Sequence, residues 1–332
     1  MESYLRRCLD CLLVNENLLP KLEVLVINDG SKDASSAIAH EYEEKYPQVF
    51  RVIDKINGNY GSCINRGLKE ATGKYLKVLD ADDCFDTNGL QELIEFLETC
   101  QVDLVVTKFS TQDSRNDSVC VSDYSDSFKD KEEQTFDNVS HSSYFKNIVM
   151  HSMTYRRAIF SQIDYVQTEG VSYTDNQWAF VPLTQVRTLS YLPVVVYHYY
   201  LGREGQTMDP KVLRKTQGQR VKMCLGLVPY YEALYPSLSK LHAQVFEHQT
   251  FCVIKDIYYN GLFEGVISHQ ELQAFDKALS SFPLCYERTS TMTIGASPIK
   301  FVEAFRKHQV VALWLAKILY KVRSVSKRLK DR

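Results

Sequence analysis

Three carboxylates, Asp80, Asp82 and Asp83, fall within four positions at the end of an apolar run over 75–79. Charges this close repel one another, so a cation or a set of amide donors must compensate them. A hard divalent ion, Mg²⁺ or Mn²⁺, held by one or two carboxylates and completed by substrate phosphates, meets that need. The same residues also suit an acidic helix N-cap, and the motif alone leaves both readings open. A second polar stretch, Asn28-Asp29-Gly30-Ser31-Lys32-Asp33, follows the apolar run 23–27. It is either a turn with an Asx or Ser cap or a contact to a nucleotide base or ribose. The loop over 57–65, with Asn57, Gly61 and Asn65, precedes a helical pattern, where backbone amides suit a pyrophosphate. Gly58, Gly61 and Gly67 lack the G-x-G-x-x-G spacing, which disfavours a nicotinamide dinucleotide site.

These loops need a sheet to hold them. Strand patterns at 23–27, 50–53, 75–79 and 103–109 alternate with helical ones at 34–45, 62–71 and a stretch with Leu90, Leu93, Ile94 and Leu97 on one face. That alternation predicts a parallel sheet with crossover helices, and ligand sites in such sheets lie where strands end. Tyr4, Leu5, Cys8, Leu9 and Leu12 recur at helical period ahead of the first of these strands, although a crossover helix normally links two strands. Residues 111–138 are rich in Ser and Asp and predict a solvated loop or irregular hairpin. Segments at 151–160 and 170–178 and a strand at 191–200 follow. Beyond Gly205 the pattern is one of long helices broken at Pro236, near Gly265 and over 283–298. The predicted boundary lies at 208, giving regions 1–208 and 209–332.

The 332 residues carry 45% apolar and 24% charged side chains and a net charge of -2, an ordinary globular composition that excludes disorder and disulfide-stapled scaffolds. The longest apolar stretch, 310–320, is interrupted by Lys317, too short a run to span a membrane. The N-terminal pattern is charged and helical, with no apolar signal core, so the chain reads as cytosolic. Nine scattered cysteines fit that reading. Cys8 and Cys11 form a C-x-x-C inside a helical run with no second pair, which favours helix core over zinc or redox chemistry.

Taken together, Val26-Ile27-Asn28-Asp29-Gly30-Ser31-Lys32-Asp33, the Asn57-Gly58-Asn59-Tyr60-Gly61 loop and Leu79-Asp80-Ala81-Asp82-Asp83 resemble, in order and spacing, the family 2 glycosyltransferases. The likeness covers about residues 1–208. Residues 169–178, which contain Asp175, resemble the family's catalytic-base segment, and residues 199–207, with Arg203, the loop that closes over the donor in bacterial members. The resemblance implies a GT-A fold, an α/β mixed sheet with flanking helices, followed here by a helical C-terminal region. It further implies inverting transfer of a sugar from a nucleotide diphosphate sugar, usually a UDP-sugar, to a hydroxyl of a glycan or lipid-linked acceptor, with Mn²⁺ or Mg²⁺. Carried over by position, Asp82 binds the metal with Asp83 as helper, Asp80 lies near the ribose, Asp29 contacts the base, Asp175 is the general base and Arg203 meets the diphosphate. His151 is read as a hydrogen-bonded structural histidine.

Two departures stand out. Ile64 precedes Asn65 where the family commonly has Arg, so that contact is absent or moved to Arg66. The family's first strand, ending in a Pro-x-Tyr-Asn-like turn, has no counterpart ahead of the N-terminal helix. Either the start of the sequence lacks it, or the sheet is rebuilt and the protein is an impaired nucleotide-sugar binder. A nucleotidyltransferase is the remaining rival, since it also uses paired carboxylates and a metal. From Lys300 onward ten basic side chains face two acidic ones, +8 against -10 for the rest of the chain. With Trp314, Ile318 and Leu319 they predict a basic amphipathic helix that makes a peripheral contact with an anionic membrane. A helix packed on its own domain is the alternative. No nucleic-acid module is present, and no nucleic-acid partner is expected.

Overall fold

The structure, a computed structural model, describes residues 1–172, 174–202, 216–294 and 299–330, the last ten as backbone alone. The chain forms two compact units, Met1–Val212 and Leu213–Arg332.

The first unit runs α1 (Glu2–Asp10), β1 (Val24–Asn28), α2 (Ser35–Lys45), β2 (Phe50–Asp54), α3 (Asn59–Glu70), β3 (Tyr75–Leu76), β4 (Cys84–Phe85), α4 (Thr87–Thr99), β5 (Leu104–Asp113), β6 (Ser118–Ser122), β7 (Gln134–Thr135), α5 (Phe136–Val139), β8 (Met153–Arg156), α6 (Asp175–Phe180) and β9 (Thr188–Leu201). Its helices bury the faces that their periodicity marks: Leu5, Cys8 and Leu9 on α1, Leu90, Leu93 and Ile94 on α4. β1 and β2 pair in parallel, Val24 opposite Phe50 through Asn28 opposite Asp54. The other strands form a seven-stranded sheet in the order β3-β8-β5-β9-β4, with β6 on β5 and β7 on β9. Only β5 and β9 run parallel there, so the sheet is mixed. Its centre is sealed, with Leu104, Val105, Val106 and Leu189 at 0% exposure.

Three expectations change. The run at 23–27 reads as a fully buried strand, yet every residue of β1 is half-buried. Among the described residues β1 pairs on one edge only, and its sheet has two strands. The expected strand 75–79 keeps only two ladder residues, and from Lys77 the chain leaves the sheet edge toward the acidic turn. Residues 111–138 include the hairpin that is one of the two expected forms, β6 pairing antiparallel with β5, but they also supply a piece of core, since Phe128 and Phe136 are buried against Tyr144 and Phe145, each with ring centroids 5.1 Å apart. Isolated aromatics in a polar stretch have no period to reveal them.

The second unit is helical: α7 (Gln217–Leu234), α8 (Lys240–Tyr259), α9 (His269–Leu279), α10 (Pro283–Ser290), α11 (Phe301–Lys307) and α12 (Gln309–Lys330). Gly265 takes the left-handed conformation (φ 66°) where the segment after α8 stops, and Ser268 and Glu271 form a capping box on α9. Arg306, counted above with the surface cations, is instead a buried hub. Its guanidinium pairs with Asp276 at 2.8 Å, donates to the Tyr286 carbonyl at 2.6 Å and lies 3.5 Å from the Tyr286 ring centroid.

The contact between α4 and β9 has no slack. A Cβ at Gly89 would sit 1.9 Å from the Val195 carbonyl oxygen, so α4 rests directly on the β9 backbone. Gly89→Ala is expected to destabilise this unit by about 1–3 kcal/mol through overpacking, read as a lower denaturant midpoint. An unchanged midpoint would show that α4 has room to shift.

Candidate active site

The acidic turn is held by its neighbours on β9. Asp83 is 1% exposed; Tyr197 Oη donates to its Oδ2 at 2.7 Å and the Tyr200 amide to its Oδ1 at 2.9 Å. The Asp80 amide in turn donates to Tyr197 Oη at 3.3 Å, so one phenol fixes both ends of the turn. From the other side, Arg7 of α1 donates to the Asp82 carbonyl at 2.6 Å, its guanidinium 3.9 Å from the Tyr200 ring centroid. The C-x-x-C packs beneath this turn: the Phe85 amide donates to Cys11 Sγ at 3.0 Å, and Cys8 Sγ approaches the Asp80 carbonyl at 3.7 Å. All described cysteines are free thiols.

A histidine completes the cluster. His151 rides on the turn Met150–Ser152 just before β8, stacked on Tyr199 with centroids 4.5 Å apart and edge-on to Tyr197 at 4.6 Å. One potential ligand atom from each of Asp80, Asp83 and His151 lies within 4.8 Å of the others. His151 Nδ1 is buried with no hydrogen-bond partner, against the expectation of a satisfied core histidine. Burial, then the Lys77 charge, pushes His151 down to about 3, so its ring is neutral. Burial, then the charges of Asp83 and Asp82, raises Asp80 well above the usual carboxylate range. Asp83 is pushed up to about 7, chiefly by burial and against the two donors from β9. A neutral imidazole with an unpartnered Nδ1, grouped with two carboxyls whose ionisation burial opposes, is a donor set suited to a divalent cation. Asp82 stands outside this three-atom group.

Sequence reasoning passed over two residues here. Lys77, the one cation in its apolar run, is pushed down to about 7 by burial; its Nζ donates to the carbonyls of His151 at 2.8 Å and Met153 at 3.3 Å, tying the segment that carries Asp80 to the turn that carries His151. Tyr60 lies between the two acidic regions: burial, then the charges of Asp80 and Asp175, raises its phenol, and its Oη meets Met150 Sδ at 3.2 Å. A cation in an apolar strand is the signal that would have marked Lys77; Tyr60 carried none beyond its place in the loop.

The remaining loops are cross-braced. Asn28 Oδ1 accepts from the Ser31 amide at 3.1 Å, while Gly30 has φ 71°, so the Asx turn forms. Asp29 Oδ1 pairs with Lys55 Nζ at 2.5 Å and accepts from the Gly58 amide at 2.9 Å; Asn57 Nδ2 donates to the Asp29 carbonyl at 2.9 Å. Gly61 and Asn65 of α3 face the chain that leads to Asp175. A Cβ on Gly61 would lie 2.0 Å from the Thr168 carbonyl oxygen, and Asn65 bonds Gln167 through both ends of its amide, at 3.0 and 2.8 Å. Asp175 opens α6 and is exposed, and its charge contributes to raising both Asp80 and Tyr60. Arg203 lies outside the described residues.

A mixed α/β unit with an acidic turn and an imidazole at a strand end, followed by a helical unit, is the architecture of a sugar-transferring enzyme of GT-A fold. The first 349 residues of S. aureus TarS, solved in complex with UDP-GlcNAc, share that fold, with a TM-score of 0.65 and 18% identity over 96% of this chain and 88% of that one. Residues 2–163, just under half of the chain, match the family model "Glycosyl transferase family 2", and this part of the chain is a domain of that family. It is 22% identical over 263 residues to EpsH of Bacillus subtilis (strain 168), named a glycosyltransferase, covering 76% of this chain and 71% of EpsH. Against the minor teichoic acid biosynthesis protein GgaB of the same organism it is 31% identical over 98 residues, 30% of this chain and 11% of GgaB.

The raised carboxyls have a measurable consequence without metal. As pH rises from the ordinary Asp83 value of 3.8 to about 7, the unfolded chain releases this proton while the folded chain keeps it. The folded state then binds more protons, so the contribution of Asp83 to stability falls with rising pH in that window. In EDTA, Asp83→Asn is expected to flatten the dependence of the melting temperature on pH between these limits. An unaltered slope would show that Asp83 is not the group responsible.

Proposed function

We propose that the chain is an inverting glycosyltransferase that moves a sugar from a UDP-sugar to a hydroxyl of a glycan or lipid-linked acceptor, with residues 1–208 as the nucleotide-sugar domain. The acceptor belongs to a bacterial envelope polysaccharide or glycoconjugate, reached at the inner face of the plasma membrane; the name of GgaB, a minor teichoic acid biosynthesis protein, supports the envelope assignment, and the UDP-GlcNAc bound by TarS supports the donor class. The observation that carries this reading is the convergence of Asp80, Asp83 and His151 with Asp175 near enough to raise Asp80.

Asp80, Asp83 and His151 hold Mn²⁺ or Mg²⁺ in this reading, with His151 taking the ligand place that the resemblance gave to Asp82. The cation, when bound, neutralises charge on the departing diphosphate. Tyr197, the Tyr200 amide and Lys77 keep the donor set in register. Asp29, braced by Lys55, lies at the base end of the site, and Asp82 remains at its mouth as a further carboxylate. Asp175 accepts the acceptor's proton as the acceptor oxygen bonds to the anomeric carbon; the bond from that carbon to the diphosphate oxygen breaks on the opposite face, and its electron pair leaves with the diphosphate. α3 holds the approach to Asp175 through Gly61 and Asn65.

Asp175→Asn is expected to lower sugar transfer by about a thousandfold while UDP affinity stays unchanged, because the carboxylate acts on the acceptor proton and not on the nucleotide. A panel of labelled UDP-sugars with an envelope glycan acceptor, scored for transferred sugar, tests it. Retained turnover would move the base elsewhere, to Glu169 first. UDP-sugar binding with no transfer from the parent chain would favour the impaired relative, and a nucleotidylated product the nucleotidyltransferase.

A further inference from the structure

We propose that the solvent-facing side of α12 is a lipid-docking surface that seats Trp314 and its apolar neighbours shallowly in an anionic membrane, with the helix lying on the bilayer. This deepens the membrane-side placement of the acceptor in the proposed function, and it is measured without donor or acceptor. The helix has two unlike faces. Ala312 and Ala316, one turn apart, are fully buried where α12 packs against α11 and the segment Asn260–Glu264; side chains this small let the helix press close to its unit. On the other side Val310 is 79% exposed, Val311 53%, Trp314 62% and Ile318 39%. Val310, Trp314 and Ile318 recur every fourth residue and so form one stripe.

This is a patch and not scatter. Of ten exposed large apolar side chains among the described residues, five lie between Val310 and Tyr320, whereas single exposed ones elsewhere need no explanation. The packing of α12 on its own unit therefore accounts for the alanine face and leaves the stripe without a burial partner there. Charge identifies the occupant. Residues 309–330 contain six basic side chains, Lys317, Lys321, Arg323, Lys327, Arg328 and Lys330, and no acidic one. Lys317 is exposed one turn from Trp314. An anionic lipid surface offers both negative headgroups for these cations and an apolar layer for the stripe, and an indole is favoured at that boundary. No helix of the described residues is long and apolar enough to cross a membrane, so the helix lies on the surface. Held there, the enzyme meets a membrane-bound acceptor at raised effective concentration.

The test is co-sedimentation of the full chain with vesicles of equimolar phosphatidylglycerol and phosphatidylcholine, against phosphatidylcholine alone. The parent chain should pellet with the anionic vesicles and keep part of that binding at salt concentrations that screen exposed charges, with a blue-shifted Trp314 emission. Trp314→Glu combined with Ile318→Glu should lower the partition coefficient by about tenfold or more while the melting temperature and UDP affinity stay unchanged, since both side chains are exposed. Unchanged UDP affinity keeps this result separate from the donor chemistry. Failure of the parent chain to pellet with anionic vesicles, or equal pelleting of the double variant, would overturn the proposal. So would a parent dimer that the double variant converts to monomer, because the stripe would then be an interface between copies.

Discussion

Three carboxylates in four residues, one of them fully buried, impose the constraint around which the first unit is organised. A buried carboxyl of this kind is tolerated only with donors on its oxygens or with a counter-charge. Tyr197 and the Tyr200 amide supply donors to Asp83, and the same phenol accepts from the Asp80 amide. These contacts explain why β9 carries polar aromatic side chains where a plain core strand would carry Val or Ile. They leave the mutual repulsion unanswered, and both carboxyls accordingly stay raised. The imidazole of His151, grouped with these carboxyls, adds a lone pair and no charge. Asp83 is therefore supplied with donors, whereas His151 Nδ1 has no partner and the repulsion between the carboxyls is left uncompensated, a combination suited to the divalent cation proposed above.

The supporting loops form a second layer with a different logic. Asp29, Lys55 and the Gly58 amide join the end of β1 to the loop before α3, and the Gly170 amide donates to the Gly58 carbonyl at 2.9 Å. From there Gly61 and Asn65 carry the connection to the chain preceding Asp175. Polar residues that look like ligand contacts in sequence are thus also the struts that join the end of β1 to the chain preceding Asp175. Asn65 meets that chain through three hydrogen bonds, two with Gln167 and one with Glu169.

What the sequence made legible follows from period and from proximity along the chain. The buried faces of α1 and α4 follow the 3.6-residue period, and the acidic turn and the Asx turn are contiguous motifs. His151 was not legible as part of the cluster because it is brought there by β8 pairing antiparallel with β3 and β5, a long-range pairing that no local pattern encodes. Lys77 falls inside an apolar strand run whose pattern says nothing of its carbonyl partners, and Arg306 reads as part of a basic tail although five hydrogen bonds hold it inside the helical unit. The half-burial of β1 was equally hidden: an apolar run specifies that a strand forms, and only the sheet decides how much of it is covered.

The central claim is that the acidic turn binds donor only together with a divalent cation. Isothermal titration of UDP into the full chain, with Mn²⁺ or Mg²⁺ and then in excess EDTA, tests it most directly, and Asp83→Ala and His151→Ala locate the effect. The account predicts measurable UDP affinity with metal, a sharp loss in EDTA, and a comparable loss in either variant with metal present. Equal UDP affinity with and without EDTA would contradict it.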